Sequence, residues 1–386
     1  MASGTTQART AKSRPSRTGP RLFSTLRDDV VQVAADIQRR GVRREIGQTL
    51  AALEAFYLTA DDRQQLAGMR PFRRWTRRIL WLVIGLLMKL TPARRVMLAA
   101  SLAFLILGLQ RIDIDTVHVA LRFPLLGSLL LFGVLMLELK DKLIARDELE
   151  AGRQVQLAMM PAQRPQVPGW DVWLYTRPAN DVGGDLVDHL QIDESRHGVA
   201  LGDVAGKALP AALLSVKLQA TLRALAPRFD DLGALGDAVN HILKRDGLPS
   251  RFASLVYLLL SPGSGRVRLL NAGHMPPLLV RRAEVTTLPR GSMVLGIMPA
   301  ATFAEQQIDL CAGDTLIVYS DGVTEAMNES GDFFGDDRLL ALARRTAGLP
   351  VATLGQRILE EVAGFVGHAA ANDDISLVVL RRTGNG

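Results

Sequence analysis

Residues 199–215 read VALGDVAGKALPAALLS. An apolar run ends in Gly202-Asp203, and Gly206-Lys207 follows just ahead of a helix-favouring stretch. A phosphate-cradling P-loop needs G-x-x-x-x-G-K-[ST]. Here three residues separate the glycines, and Ala208 stands where a Ser or Thr hydroxyl would hold Mg2+. The stretch therefore reads as a strand, a turn carrying Asp203, and a helix whose first turn accommodates Pro210. The alternative to a nucleotide cradle is a carboxylate placed at a strand end to hold a metal.

The same arrangement recurs. DTLIVYSDGVTEA sets Asp321 just after an apolar strand, and NDDISLVVLRR sets Asp373 and Asp374 just before another. NDVGGDLVDHL carries Asp185 and Asp188 behind Gly183-Gly184. A single Asp-Gly pair is ordinarily a turn. Several carboxylates converging on one sheet edge repel one another unless cations lie between them. Oxygen ligands with neither a Cys set nor an evident His set suit Mg2+ or Mn2+. Two such ions hold and acidify a water and clamp phosphoryl oxygens. The neighbouring glycines permit close backbone approach to an ion or a phosphate, so Gly183 and Gly184 are substrate candidates together with Lys207. Lys207 reads equally well as a solvated loop lysine.

Composition bounds the rest. The chain of 386 residues is 48% hydrophobic, with room for more than one domain. Cys311 is the lone cysteine, which excludes an intrachain disulfide and a Cys-rich zinc site. Residues 1–95 hold 19 Lys/Arg against 7 Asp/Glu, a net of +12, leaving −5 for the remainder of a chain whose total is +7. A basic segment beside apolar runs fits a membrane surface. No nucleic-acid-binding motif accompanies it, so nucleic acid is not an expected partner.

Along the chain, residues 1–22 have the composition of a disordered basic tail. Residues 23–78 show helical spacing in a basic region. Residues 79–137 form a membrane region with two expected spanning helices, about 96–112 and 117–137, and an interfacial helix at 79–88. Arginines and lysines on both flanks put both ends in the cytoplasm, which implies a multi-pass inner-membrane protein with its C-terminal domain cytoplasmic. Three buried helices of a soluble bundle are the alternative. Residues 138–160 read as a helical connector able to pair with a second copy, giving a homodimer. The Pro-rich PAQRPQVPGW then opens a new domain, 161–382, of short strands, turns and two helical stretches.

From about residue 154 to 382 the chain resembles the SpoIIE-like branch of the PPM, or type 2C, metal-dependent protein serine/threonine phosphatases. The stretches that carry the resemblance occur in family order: QVQLAMMP, RPANDVGGDLVDHL, LGDVAGKALPAALLS, LLNAGHMPPLLV, LGI, GDTLIVYSDGVTEAMN, FG and NDDISLVVL. It implies an α+β fold, an antiparallel β-sandwich flanked by helices, with a two-ion Mn2+ or Mg2+ site at one edge. By position, Asp203 resembles the carboxylate that bridges both metals and the Val204 carbonyl the neighbouring ligand. Asp321 and Asp373 resemble further ligands, with Asp374 the alternative to Asp373. Asp185 resembles an acid acting through water or on an additional metal. Water would attack phosphorus directly, without a phospho-enzyme. The resemblance implies a phosphorylated STAS-like regulatory protein as substrate in bacterial signalling. The chain departs from the family pattern at Ala208 (Gly in many members), Val187 (usually aromatic) and Ser320 (usually Thr). None of these removes a carboxylate. An inactive membrane-tethered binding module of the same fold is the rival reading, and a metal-dependent phosphodiesterase or nuclease, against which the ordered motifs argue, is a third. His274 in NAGHMPP reads as a structural hydrogen-bonding histidine in a Gly/Pro turn rather than a general acid.

Overall fold

The computed structural model describes residues 71–384 apart from 108, 115–116, 247–250 and 283. The expected tail and most of the basic helical region lie outside these residues. The chain divides into two compact units, Met1–Leu139 and Lys140–Gly386.

In the first unit, α1 (Pro71–Lys89) and α2 (Pro92–Leu107) precede a β-hairpin of β1 (Leu109–Ile114) and β2 (Val117–Arg122), after which α3 starts at Phe123 and runs to Met159. The hairpin corrects the expected spans of 96–112 and 117–137. Ile112-Asp113-Ile114 and Val117-His118-Val119 alternate β-branched and polar residues, a period of two that favours strands over a helix. The interfacial stretch expected at 79–88 is part of the longer α1. Helices α2 and α3 touch where small residues allow it. The Ser101 hydroxyl donates to the Gly127 carbonyl at 2.8 Å, and a Cβ on Gly127 would lie 2.8 Å from the Ser101 carbonyl. Phe104 stacks on Phe123, and Arg94 pairs with Glu138 at 2.7 Å. Among the described residues, α3 alone is long and apolar enough to cross a membrane. Leu125, Leu129, Phe132 and Leu135 on it are exposed.

The second unit is a four-layer α/β/β/α sandwich built on the strands β3 (Trp170–Arg177), β4 (Leu186–Gln191), β5 (His197–Val204), β6 (Ala253–Leu260), β7 (Arg266–Ala272), β8 (Leu278–Arg281), β9 (Glu284–Thr287), β10 (Glu305–Asp309), β11 (Thr315–Tyr319) and β12 (Ile375–Arg382). One antiparallel sheet has the order β10-β7-β6-β5-β4 and the other β3-β12-β11-β8-β9. Helices α4 (Ala208–Leu225) and α5 (Leu232–Asp246) cover the first sheet. The short α6 (Asp321–Thr324) follows β11, and α7 (Asp336–Arg345) and α8 (Val351–Val366) cover the second sheet.

This layering explains why the strands read as unbroken apolar runs. In ASLVYLLL, Leu255, Tyr257 and Leu259 face the helices, while Val256, Leu258 and Leu260 face the other sheet. Both faces are dry, so the usual alternation with polar residues is absent. Each such leucine contributes about 1.5–3 kcal/mol by leaving water. On the second sheet, Gly355 of α8 lets the helix lie on Trp173: a Cβ there would meet the indole at 2.1 Å.

Candidate metal centre at the sheet edge

Strand direction brings the carboxylates together. In the first sheet Leu186 pairs with Gly202, so Asp185, just before β4, and Asp203, near the end of β5, share one edge. In the second, Tyr319 pairs with Leu377, so Asp321 after β11 and Asp373 before β12 share one edge. These two edges meet: burial and then the charges of Asp321, Asp373 and Asp374 push the Asp203 carboxyl up to about 7. Asp321 is raised by burial, by Asp373 and by Glu325. Asp185 is raised well above the usual range by burial and by Asp203.

Asp373 and Asp374 have different surroundings. Asp374 is buried, and its carboxylate accepts the Ala179 amide at 2.7 Å, the Gly184 amide at 2.7 Å and the Asp185 amide at 3.3 Å. It ties the turn before β4 to the start of β12. Asp373 is half-buried, and one oxygen accepts the Asp374 amide at 2.9 Å.

The glycines serve the protein's own packing. A Cβ on Gly183 would lie 2.4 Å from Asp374 Oδ2, and one on Gly322 only 1.9 Å from the Asp374 carbonyl. The Gly184 amide is turned to Asp374, and the Gly183 amide donates to Gln156 Oε1 at 3.2 Å. Neither is turned to an incoming phosphate. A Cβ on Gly184 would press on the Val204 carbonyl at 3.0 Å and Asp203 Oδ1 at 3.5 Å, which keeps that corner open. Lys207 is exposed, and its Nζ donates to the Asn372 carbonyl at 3.2 Å, beside Asp373.

Asp188 stands apart from the other carboxylates. Arg223 of α4 grips it with two hydrogen bonds, at 2.8 and 2.6 Å. This corrects its grouping with Asp185: period two along β4 turns it to the helix layer. Three contributors carried too little sequence signal to be picked out. Gln156 lies on the connector, Arg251 donates to the Ala205 carbonyl at 2.8 Å, and Ser254 is the one polar residue of β6 outside Tyr257. A lone hydroxyl in an apolar strand was the available clue.

The donor chemistry fits a hard divalent cation. The side chains at this edge offer oxygen only, and Asp185 Oδ2 is buried without a hydrogen-bond partner. The burial and repulsion that raise Asp203 to about 7 are relieved by protons or by a cation. Among the described residues no three His, Cys, Asp or Glu side chains close around one point, so the fit is one of donor type and charge.

Residues 193–383 match the family described as Stage II sporulation protein E. They form a SpoIIE-type PPM phosphatase domain. That domain contains Asp203, Asp321, Asp373 and Asp374, while Asp185 precedes the matched stretch. The chain is 26% identical over 274 residues to Protein IcfG of Synechocystis sp., covering 64% of this chain and 43% of that protein. It is 25% identical over 239 residues to Phosphoserine phosphatase RsbU of Bacillus subtilis, covering 61% of this chain and 70% of that protein. The chain thus spans under half of one relative and about two thirds of the other. In fold, the SpoIIE-type domain is similar to the SiaA-PP2C domain of Pseudomonas aeruginosa, with a TM-score of 0.54 and 18% identity over 62% of this chain and 98% of that one. The antiparallel sandwich flanked by helices is the PP2C-like fold expected from the motifs.

Proposed function

We propose that the chain is a membrane-anchored, metal-dependent protein serine/threonine phosphatase acting on a phosphorylated regulatory protein of STAS type. The observation that carries this reading is the meeting of Asp185, Asp203, Asp321 and Asp373 at one edge of two stacked sheets, with an all-oxygen donor set. The similarity to a phosphoserine phosphatase supports the same chemistry. When bound, two Mn2+ or Mg2+ ions acidify a water and neutralise phosphoryl oxygens.

Asp203, the Val204 carbonyl, Asp321 and Asp373 would hold the ions, with Asp185 acting through water or on an additional ion. Asp374 is assigned to positioning instead, because backbone amides already occupy its carboxylate. Lys207 at the rim meets the substrate phosphoryl group, its Asn372 contact being exposed and cheap to exchange. Helix α3 anchors the chain in the inner membrane. Lys140, Lys142 and Arg146, which follow its apolar part, favour a cytoplasmic phosphatase domain. The charged part of α3 offers a surface for pairing with a second copy.

The test uses the full chain in detergent and a phosphoserine protein as substrate. Phosphate release that requires Mn2+, stops with EDTA and is lost in Asp203→Asn supports the reading. No release with any divalent ion, together with tight binding of the phosphoprotein, would replace it with the tethered binding module.

A further inference from the structure

His274 lies in the turn after β7, where the Asn271 side chain fixes its backbone from both ends: His274 N–H donates to Asn271 Oδ1 at 2.9 Å and Asn271 Nδ2 donates to the His274 carbonyl at 3.3 Å. The ring is buried. Its Nε2 lies 3.1 Å from the Tyr319 carbonyl and its Nδ1 2.7 Å from the Ser254 hydroxyl. A carbonyl oxygen can only accept, so Nε2 carries the proton. Burial pushes the imidazole down to about 4 and keeps it neutral. Nδ1 is therefore a bare acceptor, and Ser254 donates to it.

The two partners belong to different sheets. Ser254 sits on β6 directly opposite Asp203 on β5. Tyr319 ends β11 of the other sheet, two residues before Asp321. The ring thus spans the joint between the two edges that carry the carboxylates. With both nitrogens engaged it has no proton to give a leaving group, which removes the general-acid reading.

We propose that His274 is a positioning residue: by linking Ser254 to the Tyr319 carbonyl it sets the spacing of Asp203 from Asp321, and with it the affinity of the centre for divalent ions. The inference rests on the metal-centre reading above. Its role is distinct from chemistry, so metal affinity and turnover at saturating metal should separate.

The experiment measures Mn2+ binding by titration calorimetry on the full chain in detergent, with phosphate release at saturating Mn2+ alongside. Ser254→Ala and His274→Leu should each raise the Mn2+ dissociation constant about tenfold, as loss of one buried hydrogen bond implies. Turnover at saturating Mn2+ and its pH profile should stay near wild type. Ser254→Thr, which keeps the hydroxyl, should restore affinity. If His274→Leu does not fold, Ser254→Ala carries the test alone. Wild-type Mn2+ affinity in folded Ser254→Ala overturns the proposal, as does lost turnover at saturating Mn2+ with affinity unchanged. Asp203→Asn is the control: if it leaves Mn2+ binding intact, the metal-centre reading itself fails, and the proposal with it.

Discussion

Gln156 and Gly183 exchange two hydrogen bonds: Nε2 donates to the Gly183 carbonyl at 2.8 Å, and the Gly183 amide donates back to Oε1 at 3.2 Å. A side chain near the end of α3 thereby holds the turn that presents Asp185. Two ordinary hydrogen bonds contribute about 1–3 kcal/mol together. Gln156→Ala is expected to lower stability by about that amount and to reduce turnover by loosening the Asp185 turn. Thermal melts paired with phosphate release check it. Gln156→Glu keeps the acceptor and loses the donor, so it should fall between the two.

The adjacent Asp373 and Asp374 should respond differently to the same substitution. Asp374→Asn turns donors or a weaker acceptor towards the amides of Ala179, Gly184 and Asp185, each bond to the charged group being worth about 1.5–3 kcal/mol. A lowered Tm with or without metal is expected. Asp373→Asn should leave the metal-free Tm nearly unchanged and abolish the stabilisation that Mn2+ gives to the wild type. Melting curves with and without Mn2+ distinguish the two.

His274 also predicts an acid sensitivity. Its folded value of about 4 lies below the ordinary 6.5, so between these values the unfolded chain binds the proton and the folded chain does not. Stability therefore falls as pH drops through that window, by about 3 kcal/mol in all. His189 and His197, both lowered by burial, act in the same direction. Denaturant melts from pH 7 to pH 4.5 should show the slope, reduced in His274→Gln.

Ala208, at the start of α4, has φ of +60°, a left-handed conformation that costs a residue with a Cβ about 1–2 kcal/mol. Ala208→Gly should raise stability by up to about 1 kcal/mol after the added freedom of the unfolded chain is counted. Phosphate release should be unchanged, because the side chain is exposed and lies outside the carboxylate set. A higher denaturation midpoint with the same slope is the expected result.

The carboxylate edge was readable because its parts are local: Asp203 and Asp321 close apolar runs, Asp373 and Asp374 open one, and glycines stand beside them. The sandwich was readable only through the family resemblance that the ordered motifs carry. What pairwise contact decides was not. Asp188 looks like Asp185 in sequence, and only the Arg223 partner separates them. The Gly183 and Gly184 pair signals close approach without saying to what, and the answer is Asp374 for Gly183 and the Val204 carbonyl for Gly184. At 109–122 the length of the apolar runs outweighed the short alternations Ile112-Asp113-Ile114 and Val117-His118-Val119, which mark a β-hairpin where the ends of two helices were expected.

The order β3-β12-β11-β8-β9 has a temporal meaning during synthesis. The last described strand is inserted between β3 and β11 rather than added at the margin. Until Ile375–Arg382 leaves the ribosome, β3 has no sheet to join, and Asp373, two residues ahead of that strand, is not held at the edge. Helix α3, with its apolar stretch near residue 130, emerges far earlier. The nascent chain thus stays chemically silent until the last described strand closes the sandwich and the carboxylate edge in a single event.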